Sequence, residues 1–97
     1  MRYLIVDGML SGTGVRDATG GGYVRLAGLG ISPKVVETII NWLARYKTAH
    51  YRQFADPREV EALDDIGLAL CDRLAHELPG SKIGYFSAAR MEKLRSV

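Results

Sequence analysis

Ala55-Asp56-Pro57-Arg58-Glu59, near the middle of the chain, decides the fold. Asp56 can cap a free backbone N–H, Pro57 can occupy the first helical position without losing a hydrogen bond, and Glu59 is placed to reach back as in a capping box. The same start signal stands earlier as Ser32-Pro33. Between the two, Val36, Ile39, Ile40, Leu43, Tyr46, His50 and Phe54 recur at three- and four-residue spacing, which predicts one helix from Ser32-Pro33 to about Phe54. Beyond Pro57, Val60, Leu63, Gly67, Leu70, Leu74 and Leu78 mark a second helix that ends at Pro79-Gly80. Helices joined by so short a break should pack as a hairpin.

Outward from the hairpin lie strand signals. Tyr3-Leu4-Ile5-Val6 is too short for a helix, is stopped by Gly8, and carries apolar residues on both faces, as an interior strand does. Six of the 11 glycines fall between Gly8 and Gly22, so that stretch reads as a loop or irregular hairpin. Tyr23 to Ala27 alternates and reads as a second strand, Lys82 to Phe86 as a third, and Ser87 as the cap of a short helix from Ala88 to about Arg95. The expectation is one α/β domain over 1–97, a two-layer α+β arrangement of order β-β-α-α-β-α. Its three-stranded mixed sheet has the first strand central and the helical hairpin on one face.

Composition narrows the function classes. An apolar fraction of 47% with 25% charged residues suits a globular chain. Cys71 is the sole cysteine, so an intrachain disulfide is impossible and a reducing, cytoplasmic setting fits. The opening apolar run meets Asp7 too soon for a signal peptide or a membrane span. The net charge of +2 is too balanced to draw nucleic acid by itself. Its distribution is uneven, because Glu59, Glu61, Asp64, Asp65, Asp72 and Glu77 face only Arg73 between Glu59 and Leu78. Asp64 and Asp65 therefore read as a solvated acidic face able to dock a basic protein partner.

Other features bear on chemistry. Ser11-Gly12-Thr13-Gly14 follows a strand, and with Asp7, Arg16, Asp17 and Arg25 it could hold an anionic ligand through backbone N–H groups and guanidinium. It lacks the Gly-Lys-Ser/Thr of a P-loop, and a strand, not a helix, is expected next. Asp72 and His76 share a helical face, with His50 a conceivable third ligand, yet no metal-site spacing supports them, and no cofactor is expected. Trp42 to Phe54 interleaves aromatics with bases, a mixture that can stack on nucleic acid and equally describes a half-buried helix.

No nucleophile and base are placed by a recognisable motif, so the sequence points to a non-catalytic interaction or accessory protein. A small ligand-binding protein or enzyme using the glycine loop, and a nucleic-acid module using the first helix, are the alternatives. Tyr3, Ile5, Tyr23 and Tyr85 should form an apolar patch on the sheet face away from the hairpin, only partly shielded by the last helix, and a homodimer would bury it.

Overall fold

The computed structural model describes residues 2–97. The elements are β1 (Tyr3–Asp7), β2 (Val15–Asp17), a 3-10 turn at Leu26–Gly28, α1 (Pro33–Tyr51), α2 (Pro57–Glu77), β3 (Lys82–Ser87) and β4 (Glu92–Arg95). They form a mixed α+β fold of two helices and a four-stranded sheet of order β2-β1-β3-β4. β1 is interior, as expected, and pairs in parallel with β3, while β2 and β4 add antiparallel edges. No helix among the described residues is long and apolar enough to cross a membrane.

Both helix starts form as read. The Ser32 hydroxyl accepts from the Val35 N–H, and Asp56 Oδ1 accepts from the Arg58 N–H at 3.0 Å. Glu59 does not close the anticipated capping box; its carboxylate accepts from Arg45 Nη2 at 2.6 Å across the hairpin. At the hairpin's open end, Glu77 accepts from the Ser32 backbone N–H at 2.6 Å and from the Ser32 hydroxyl at 2.8 Å.

Four expectations fail for identifiable reasons. The second strand is Val15–Asp17, inside the glycine-rich stretch, because Gly14 at φ 100° turns the chain and returns the β-branched Val15 to pair with Val6. Tyr23 keeps a single bridge to Arg16, and the chain then enters the 3-10 turn instead of a strand. The last helix is absent. Ser87 Oγ does accept from the Arg90 N–H, but Met91 at φ 53° ends that turn and sends Glu92–Arg95 back along β3. A helix so short is marginal, and pairing the free edge of β3 satisfies more backbone groups. Finally, α1 stops at Tyr51; Gln53 and Phe54 take positive φ, and the Phe54 ring folds back edge-on against His50 and Tyr46.

The hairpin covers the face bearing Leu4 and Val6, both fully buried. The buried stripe of α1 is Val35, Ile39, Trp42, Tyr46 and Ala49, rotated from the expected one so that Ile40 faces outward. Trp42 sits where the helices meet, its Nε1–H donating to the Leu63 carbonyl at 2.9 Å and its ring edge-on to Tyr46. On α2 the stripe runs through Val60, Leu63, Gly67, Leu70 and Leu74, with Asp64 and Cys71 buried beside it. Gly67 is required there because a Cβ would overlap the Tyr85 ring.

Two outcomes are expected. Gly67→Ala gains about 1 kcal/mol of helix propensity. Overpacking costs about 1–3 kcal/mol, and the Tyr85 ring cannot easily yield because its hydroxyl is held by Asp64. Urea unfolding should therefore show net destabilisation. Separately, the Ser32 N–H and hydroxyl hold Glu77 below the usual carboxylate range. A value lower in the folded than in the unfolded state means stability present above the unfolded pKa and lost as pH falls through the folded one. Glu77→Gln should thus destabilise at pH 7, and the gap to the parent should shrink in acid.

Candidate functional site

The parallel strands β1 and β3 end side by side, and each end carries a buried carboxylate system, one on each face of the sheet. Asp7 closes β1 on the outer face and is 1% exposed. It accepts from Arg16 Nε at 3.1 Å, the Tyr23 hydroxyl at 2.6 Å and the Met9 N–H at 3.3 Å. β2 delivers Arg16 opposite Ile5, one strand over. Burial first, and the Asp7 acceptor second, push the Tyr23 phenol up, so it stays a donor at neutral pH.

The glycines of the adjoining loop serve close approach. Gly12 lies under the Tyr23 ring, Gly14 abuts Ile39, and Gly8 abuts Tyr46 while its carbonyl meets His50 Nε2 at 3.0 Å. The Gly12 N–H donates to the Met9 carbonyl, and the Gly14 carbonyl accepts from the Asp7 N–H. Of the expected ligand set, Asp7 and Arg16 are joined, and Gly12 and Gly14 shape the same loop. Asp17 stands apart, opposite Leu4, where the Thr19 hydroxyl and the Gly20 and Thr19 N–H groups hold its carboxylate below the usual range.

On the hairpin side, Asp64 is 5% exposed and accepts from the Tyr85 hydroxyl at 2.7 Å, Ser87 Oγ at 3.1 Å and Arg90 Nε at 2.9 Å. The reading of Asp64 as a solvated docking residue is corrected: it is an internal anchor, and only Asp65 of that pair is exposed. The helical register held the signal, since Asp64 follows Val60 by four residues and precedes Gly67 by three, within the buried stripe.

The remaining candidates separate. Asp72 pairs with Arg95 and not with His76, and among the described residues no three potential metal ligands gather. Cys71 is fully buried, and burial pushes its thiol up to about 12. The basic-aromatic segment turns Trp42 and Tyr46 into the core, which removes them from any stacking surface. On the outer sheet face Tyr3 and Ile5 point outward as expected, whereas Tyr85, opposite Val6, is buried on the hairpin side. Each outward apolar residue has a basic cross-strand neighbour: Tyr3 has Lys82, Ile5 has Arg16 and Phe86 has Lys93.

A surface that the sequence reading missed lies where the Gly8–Gly14 loop meets α1. Met9 is 38% exposed, Leu10 52%, Ile40 54% and Tyr51 73%. Met9, Leu10, Ile40, Leu43, Ala44 and Lys47 line a cleft of about 210 Å³ there. Periodicity hides it, because the three- and four-residue spacing puts Ile40 and Leu43 in the same apolar series as the buried Ile39 and Tyr46. Comparison with known proteins gives no match to any family model or to any curated protein.

Asp7→Ala leaves Tyr23 and Arg16 without their acceptor. It should cost about 1–3 kcal/mol in urea unfolding and speed amide exchange across Met9–Gly14, with exchange in α2 following only the global loss. The native thiol of Cys71 should resist alkylation at pH 7 and react once the chain is unfolded.

Proposed function

We propose that this chain is a non-catalytic protein–protein interaction module that docks through the surface formed by Met9, Leu10 and the Ile40 side of α1. One observation carries the reading. A loop anchored by the Asp7–Arg16–Tyr23 network, the Gly8–His50 contact and two closely packed glycines presents Met9 and Leu10 to solvent beside a third large apolar side chain, Ile40. Fixing a loop costs conformational entropy, and a pre-ordered apolar display recovers affinity when a partner covers it.

The electrostatics support binding over catalysis. Asp7 and Asp64 are each engaged by three internal donors, and neither faces the cleft. At about 210 Å³ the cleft is also smaller than the roughly 300–1,000 Å³ of small-molecule sites, while it suits a single apolar side chain of a protein partner. Cytoplasmic placement belongs to the same reading and is supported by the lone, unpaired cysteine.

Affinity capture from source cells tests it. Proteins retained by the parent chain should be lost with Leu10→Glu, at unchanged melting temperature because Leu10 is exposed, and kept with Asp65→Lys. Loss with Asp65→Lys and retention with Leu10→Glu would return the interface to the acidic helix and end this proposal.

A further inference from the structure

Opposite its buried stripe, α1 carries a second, exposed one: Pro33, Glu37, Ile40, Ala44, Lys47 and Tyr51. The spacing is four, three, four, three, four, the repeat that keeps one seam facing a neighbouring helix. The stripe also reads as its own complement when reversed about the point between Ile40 and Ala44. Large Ile40 answers small Ala44, acidic Glu37 answers basic Lys47, and Pro33 answers aromatic Tyr51. Neither Glu37 nor Lys47 has an ion-pair partner among the described residues.

We infer that this stripe is a self-association surface, through which two copies of the chain pair α1 against α1, antiparallel, about a two-fold axis between Ile40 and Ala44. The inference rests on the docking reading above and names the partner as a second copy. A two-fold contact requires a self-complementary patch, and this order of size and charge supplies one. Glu37 of each copy then meets Lys47 of the other, and each Ile40 enters over the other's Ala44, where the short side chain lets the helices approach. Met9 and Leu10, lining the cleft beside Ile40 and Lys47, extend the contact beyond the helices. That extension matters, since a stable interface buries about 800 Å² per partner. The outer sheet face suits a second copy less well, because a face-to-face pairing would bring the Lys82 and Lys93 rims together.

Light scattering coupled to size exclusion, over a concentration series, reads the association directly. The expected mass rises from 10.7 kDa toward twice that value. Ile40→Glu should hold the chain monomeric, with its circular dichroism and melting unchanged because the position is exposed. Glu37→Lys or Lys47→Glu alone should weaken the dimer by about tenfold, each creating two like-charge contacts, and the double reversal should restore it. A mass of 10.7 kDa at every concentration overturns the inference. So does a dimer indifferent to Ile40→Glu, one that Tyr3→Glu dissolves, or a double reversal that fails to restore. If the chain is monomeric while Leu10→Glu still abolishes capture of another protein, self-pairing falls and the docking reading stands. If neither substitution affects any association, both fall.

Discussion

Everything in this fold follows from the parallel pairing of β1 and β3. Parallel neighbours cannot be joined by a tight turn; they need a long crossover, and here it is the α1–α2 hairpin. The hairpin in turn must lie on the face that Leu4 and Val6 present, because nothing else can bury them. Trp42 makes that arrangement specific. Its indole packs against Tyr46 and Tyr85, and its one polar group is satisfied by the Leu63 carbonyl. Aromatic bulk with a single directional bond fixes both the helix pairing and its height above the sheet.

The parallel pair also explains where the buried charge lies. Both strands end at the same edge, and their last residues must hand the chain to loops without leaving backbone and side-chain groups dry. Asp7 on one face and the Asp64–Ser87–Arg90 cluster on the other take that role, and among the described residues no buried side-chain polar atom is without a partner. Such networks are expensive to break and uninformative about chemistry, since their donors and acceptors already answer each other. The informative surface is what these anchors hold in place: the Met9–Leu10 loop against α1.

The sequence announced the parts of this fold that depend on local chemistry. Ser32-Pro33 and Asp56-Pro57 marked both helix starts, and the apolar runs at Tyr3 and Lys82 marked the two interior strands. What depended on competition between local and long-range terms was hidden. Glu92, Lys93 and Leu94 are good helix formers, yet the unpaired edge of β3 claims the strand they form. In α1, apolar residues occupy two adjacent stripes, and periodicity alone cannot say that Trp42 rather than Ile40 goes inside. Asp64 beside Asp65 looks like solvated charge until Tyr85, Ser87 and Arg90 arrive from far along the chain. The loop site was legible as a cluster, Asp7 with Arg16 and its glycines, but not in its role, because the covering ring of Tyr23 comes from beyond the strand it touches.

The bond between Ser32 and Glu77 has a kinetic side as well. These residues are 45 positions apart, and the hairpin is built almost wholly from contacts within and between two consecutive helices. Once it forms, the points where β1–β2 leaves the hairpin and β3 enters it stand at hydrogen-bonding distance. The slow search that a parallel pair ordinarily demands, closing a loop as long as most of the domain, becomes the closing of two shorter ones, 24 residues between Asp7 and Ser32 and four between Glu77 and Lys82. A sheet of distant strands can thereby condense at something nearer the speed of a helical protein, with the carboxylate of Glu77 acting as the clasp that shortens its path.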